Sequence, residues 1–179
     1  MSHVSRLQLA ISPALLGSVL VIIGFFLPVT MASVVFPPDP PTFYSHSYWN
    51  MLADTITGGA RVDFFMYLAI VSFLLSILVP LWISSAVVLG YGKPSWLFFS
   101  LGFTILGLLE HWFMSSLLVG FNFRSHGIET STAGPGIGVM YGGFLLCIVG
   151  SLIALYEVHR LQRAAVRTPV RQHITQRDM

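Results

Sequence analysis

The sequence predicts an all-α integral membrane protein, a four-transmembrane-helix bundle with its N and C termini on the cytoplasmic side. Three observations predict it. Hydrophobic residues make up 55% of the 179 residues and charged residues only 9%, against roughly 25% charged in a soluble domain. The apolar residues are gathered into long blocks. Lysine and arginine collect at the flanks of those blocks that fall on one side.

A hydrocarbon core about 30 Å thick takes roughly 20 apolar helical residues to cross. Four stretches meet that length, at about Leu7 to Val29, Phe64 to Leu89, Trp96 to Phe121 and Ile137 to Val158. Ahead of the first, Arg6 is the one lysine or arginine, and the apolar run exceeds the ~7–15 residues of a secretory signal. It therefore reads as a retained helix. Pro28 and Pro80 are expected to kink or end their helices, because proline has no backbone N–H to donate.

Orientation follows the excess of basic residues on the cytoplasmic side. With the N terminus inside, that side holds Arg6, Lys93, Arg160, Arg163, Arg167, Arg171 and Arg177, and the outer loops hold Arg61 and Arg124. The bias points to a multi-pass protein of a plasma membrane, of bacterial type. Trp82, Tyr91, Trp96 and Tyr156 fall near the inner headgroup level, and Tyr67, Trp112 and Tyr141 near the outer one, where amphipathic rings are favoured.

Residues 1–158 read as one transmembrane domain and 159–179 as a basic cytoplasmic tail. Arg160, Arg163 and Arg167 recur at helical spacing, so the fourth helix is expected to continue as a basic stub until Thr168-Pro169 ends it. Such a stub anchors on anionic headgroups. It carries too little charge, and no folded module, for a nucleic-acid role.

Lipid tails are as apolar as leucine, so helices associate where small residues let backbones approach. Gly138 and Gly142 form a small-xxx-small pair, extended by Gly150. Gly17 and Gly24 stand a heptad apart on the first helix, and Ser72 and Ser76 four apart on the second. These positions serve a compact bundle or, equally, an interface between copies.

The segment from Thr30 to Asp63 is the longest polar one. Phe36-Pro37-Pro38-Asp39-Pro40-Pro41 is expected to be extended and stiff. Ser47 to Ile56 is expected to form a short helix lying on the outer leaflet, ended by Gly58-Gly59. The loop is expected to fold as a cap over the bundle mouth; alternatively Phe43, Tyr44, Tyr48 and Trp49 make it a candidate contact surface for a partner or an extracytoplasmic ligand, since exposed aromatic patches mark docking sites. The second outer loop, Asn122 to Gly136, reads as a polar turn. Its glycines fit neither a P-loop nor a dinucleotide fingerprint.

Glu110 and His111 are the one adjacent ionisable pair well inside an apolar block. Counting ~1.5 Å per residue from Trp96 places Glu110 about 21 Å along its helix, in the outer third of the hydrocarbon. Intramembrane carboxylates are candidates for ion or substrate paths. The alternative is a Glu110 that snorkels outward or pairs with His46, Arg61, Arg124 or His126. Asp63 and Glu157 stand at helix ends, so no chain of acids crosses the bilayer. Ser115 shares a helical face with His111, but no third catalytic member is evident.

Cys147 is the single cysteine, which excludes thiol–disulfide chemistry within the chain. One intramembrane histidine does not make a bis-histidine haem site. His46, His111, His126, Asp54 and Glu129 show no metal-ligand spacing. No metal and no cofactor is expected. The reading that best fits is a non-catalytic accessory or structural subunit of a larger membrane assembly. Its partners would be the lipid bilayer and other membrane subunits or a second copy, not nucleic acid. A small oligomeric transporter or channel using Glu110 and His111 ranks second, and a membrane enzyme third.

Overall fold

The computed structural model describes residues 3–35, 40, 42–57, 64–120 and 128–177. Four helices are long and apolar enough to span a membrane. They are α1 (His3–Phe26), α3 (Phe64–Val88), α4 (Trp96–Gly120) and α5 (Pro135–Arg177). They stand in a ring in the order α1, α3, α4, α5, and α1 and α5 share the most extensive interface.

The bundle is inverted relative to a water-soluble one. Its interior is rich in small and hydroxyl-bearing residues, including Ala14, Ser18, Ser76, Ser84, Ser100, Thr104 and Ser151. Large side chains such as Leu16, Leu75, Leu78, Leu109 and Leu152 point outward. The pattern suits helices able to span a membrane, since no hydrophobic force drives leucine inward in lipid. Apolar clusters remain at each end, around Ile11, Ile83 and Leu97 at one and Val21, Phe25 and Phe144 at the other.

The expectation of an all-α chain needs correction. Pro28 does end α1, but the chain continues as strand β1 (Pro28–Val35), which pairs antiparallel with β2 (Thr42–Ser47) and with β3 (Ile128–Ala133). The strand order is β2-β1-β3. Val29, Thr30, Val34 and Val35 in β1, and Thr130 and Thr132 in β3, supply the β-branched residues that pleated backbone favours. Backbone polar groups beyond the helix ends need partners, and a sheet provides them. Val29, Thr30 and Ser47 are buried at the root of this sheet, whereas Thr42 to His46 are exposed.

The pairing of α1 with α5 runs into the pairing of β1 with β3 almost residue for residue. Ala14 lies against Gly150, Gly17 against Cys147 and Gly24 against Met140. The Gly134 N–H then donates to the Val29 carbonyl at 2.9 Å, and Thr30 pairs with Ala133. Gly134 is required there, because an added Cβ would collide with the Pro28 carbonyl.

Helix α2 (Tyr48–Thr57) follows β2 directly. Ser47 caps it, its hydroxyl accepting from the Asn50 N–H at 3.1 Å and so satisfying one of the orphan donors of the first turn. Gly58 and Gly59, expected to end this helix, lie outside the described residues, as do 36–39 and 41 of the proline-rich stretch. At the opposite end, α3 closes on Gly90, whose φ of 84° L side chains rarely adopt. Gly90 N–H donates to Val87 O and Tyr91 N–H to Ala86 O, at 3.1 and 2.9 Å, the paired bonds of a Schellman stop. The Gln8 amide adds a bond to Val88 O at 2.7 Å, tying α1 to that turn. Trp82 and Trp96 stack there at 5.1 Å.

Thr168-Pro169 does not end the last helix: α5 continues to Arg177. A proline removes one bond from an established helix and can kink it without terminating it.

Candidate functional site

The polar residues of α4 converge near the sheet end, under α2. His111 is wholly buried. Its Nε2 faces the Ile137 carbonyl at 3.2 Å and its Nδ1 the Tyr48 hydroxyl at 3.0 Å. A carbonyl can only accept, so Nε2–H is the donor to Ile137. In the neutral ring this network assigns Nδ1 as acceptor from Tyr48. One imidazole thus bridges α2, α4 and α5, and both of its nitrogens are occupied. Tyr141 packs on the same ring at 4.5 Å.

Tyr48 is 6% exposed. It stacks on Phe25 at 6.3 Å and tilts against Phe73 at 5.2 Å. Burial, and secondarily the neighbouring Tyr141, push its phenol well above the ordinary tyrosine range, because desolvation disfavours the anion. The expectation that Tyr48 serves as a contact residue is therefore corrected: it is a core residue, facing inward from the first turn of α2. Trp49 is half exposed and lies against Phe25 and Phe26. Phe43, at 77%, and Tyr44 are exposed on β2.

Ser115 hydrogen-bonds within a structural network. Its hydroxyl donates to Trp112 O at 3.1 Å and so accepts from the Tyr141 hydroxyl at 3.2 Å. With its proton committed to a carbonyl, it is not an activated nucleophile. Ser116 likewise donates to Trp112 O.

Glu110 points towards α3. Its Oε1 accepts from the Ser72 hydroxyl at 2.5 Å, so among the described residues its partner is a serine on a neighbouring helix. Arg61, Arg124 and His126, expected as partners, lie outside the described residues. The second oxygen, Oε2, is buried with no hydrogen-bond partner among the described residues. One turn on, Ser76 donates to Phe73 O and packs on Gly107, where a Cβ would come within 2.6 Å of the serine oxygen. That glycine lets α3 and α4 close up beneath the carboxyl.

Between α3 and α4, roofed by α2, lies a cavity of about 380 Å³. Its walls include Phe25, Tyr48, Met51, Phe73, Phe113 and Glu110. Its lining is mostly apolar and aromatic, with Glu110 and Tyr48 as the residues that carry polar groups.

Of the small residues, Gly17, Gly24 and Gly150 sit in tight helix contacts, joined by Gly136 and Gly143. Gly138 and Gly142 take no part in packing among the described residues: both are exposed, and a Cβ at either meets nothing there within 4 Å. The face of α5 that packs on α1 repeats every seven residues, through Gly136, Gly143 and Gly150. The four-residue pair lies to one side of it.

Among the described residues no three of His, Cys, Asp and Glu come together as a metal site would require. Cys147 is buried, its thiol donating to Ala14 O at 3.2 Å and lying 3.3 Å from Ser18 Oγ. No protein-family model, no curated protein and no solved structure matches this chain.

Proposed function

We propose that this protein is a non-catalytic accessory subunit of a larger membrane assembly, and that it meets its partner through the three-stranded sheet. The observation that carries the reading is strand β2, exposed from Thr42 to His46 and, among the described residues, paired with β1 alone. An unpaired strand edge carrying Phe43 and Tyr44 suits the addition of a partner strand, with backbone bonds giving affinity and aromatic pockets giving specificity. The saturated hydrogen bonds of His111 and Ser115 favour the same reading, since neither group is free for proton transfer or nucleophilic attack. The arginines in the C-terminal part of α5 and Lys93 at the α3–α4 turn support an orientation with the sheet outside and both termini in the cytoplasm of a bacterial-type plasma membrane.

The test is gentle solubilisation from native membranes, capture by a C-terminal tag and mass spectrometry, with the Phe43→Ala, Tyr44→Ala double variant in parallel. A stoichiometric membrane-protein partner that is retained by the parent chain and lost from the variant is the expected result. Capture of the chain alone from both would defeat the proposal. Transport through Glu110 lacks a second free titratable group along the described bundle interior, and ranks below.

A further inference from the structure

We propose that the cavity beneath α2 is a binding site for a lipophilic organic cation, held by the Glu110 carboxylate and the surrounding aromatic rings. It is independent of the docking role of the sheet. Four features carry it. The cavity, at about 380 Å³, lies at the lower end of the roughly 300–1,000 Å³ of small-molecule sites. Its walls are apolar, with the rings of Phe25, Tyr48, Phe73 and Phe113 among them. Glu110 stands in that wall with one oxygen held by Ser72 and the other buried without a partner among the described residues. No salt bridge to Glu110 occurs there either; the one ion pair among the described residues is Arg160 with Glu157, on the tail side.

Each feature selects for the same ligand chemistry. An ionised carboxylate in a part-buried site, with no counter-charge among the described residues, is costly, and a cation in the cavity offsets that cost. Metal ions need several oxygen or nitrogen ligands, and the described lining offers one carboxyl and one phenol, the latter already engaged by His111. Aromatic faces attract an organic cation through their quadrupoles, most strongly when it is desolvated. Ser72 fixes the carboxyl in the cavity wall by its first oxygen. His111 acts at one remove: by holding Tyr48 it holds the roof. The ligand class is therefore a monovalent quaternary ammonium or phosphonium with apolar substituents.

The experiment is equilibrium binding of radiolabelled tetraphenylphosphonium to the full-length chain in mild detergent, at neutral pH, with uncharged triphenylphosphine oxide as competitor. Saturable binding of one cation per chain is expected, with little displacement by the phosphine oxide. Glu110→Gln keeps the size of the side chain and its bond from Ser72, and is expected to weaken binding about tenfold or more. Ala69→Trp, which fills the cavity and leaves the charge in place, is expected to abolish it. Non-saturable uptake by the parent chain would overturn the proposal, as would equal displacement by the neutral competitor. So would unchanged affinity in Glu110→Gln. Should that variant fail to fold, undiminished binding by Ala69→Trp would do the same.

Discussion

The Tyr48 hydroxyl lies 3.0 Å from His111 Nδ1, and this bond fastens the short helix of the loop to the interior of the bundle. It turns α2 from a surface segment into a lid whose first residue is part of the core. Tyr48→Phe keeps the ring in place but leaves Nδ1 buried without a donor. We predict a loss of about 1–3 kcal/mol, the usual cost of an orphaned buried acceptor. His111→Ala should cost more, because it also frees the Ile137 carbonyl and opens space beside Tyr141 and Phe144. Thermal unfolding in detergent measures both. A Tyr48→Phe chain as stable as the parent would show that the bond does not hold the lid.

The same phenol sets an alkaline limit. Its folded-state pKa is raised, chiefly by burial, so folding favours the protonated form. The stability this adds over Tyr48→Phe is present in full below the unfolded tyrosine value of about 10 and declines as the pH rises above it. Melting curves of parent and variant should run parallel from pH 7 to about 9.5 and converge at higher pH. A gap that stayed constant to pH 11 would count against a buried, neutral Tyr48.

Two glycines five residues apart on α5, Gly138 and Gly143, offer a contrast. A side chain at Gly143 must enter space held by Val21 Cγ2 at 2.7 Å and Gly17 O at 2.8 Å, whereas Gly138 faces open space. Gly143→Val should destabilise the chain by about 1–3 kcal/mol through overpacking, and Gly138→Val should stay within about 0.5 kcal/mol of the parent. Cys147, the single cysteine and buried, provides the readout. A thiol-reactive dye will label it only as the α1–α5 interface opens, so the labelling midpoint should fall for Gly143→Val alone.

The long helices were legible because hydropathy over twenty residues is a strong signal. Phe64–Val88 and Trp96–Gly120 fall within a residue of the expected bounds, and the short helix after Ser47 appears at Tyr48–Thr57. The sheet was hidden by local continuity: Val29 to Val35 extends the apolar run of α1, and β1 finds its partner β3 only through contacts such as Val35 with Ile128, which no local window contains. The β-branched residues beyond Pro28 were the available signal. Gly17 and Gly24 showed the heptad that governs the α1–α5 contact, yet on α5 the four-residue pair Gly138 and Gly142 drew attention from Gly136, Gly143 and Gly150. Glu110 was conspicuous as a lone acid. That its neighbours would be Ser72 and an aromatic cavity depends on how α2 folds over the bundle, which composition does not encode.

The unbroken pairing of α1–β1 with β3–α5 has a consequence for how the chain is made. During synthesis the small-residue face of α1, with Ala14, Gly17 and Gly24, has no mate until the last helix emerges, and every contact along that seam joins distant parts of the chain. Such contacts form late, because a large loop must close before any of them is gained. The α3–α4 hairpin, stitched by Ser72 to Glu110, joins neighbouring segments and can assemble first. Completion of the molecule is then a closing of the two ends of the chain around a finished hairpin. A chain arrested before Gly134 would leave the α5-facing side of its first helix and the β3-facing edge of its first strand exposed together, a combined target for a quality-control protease.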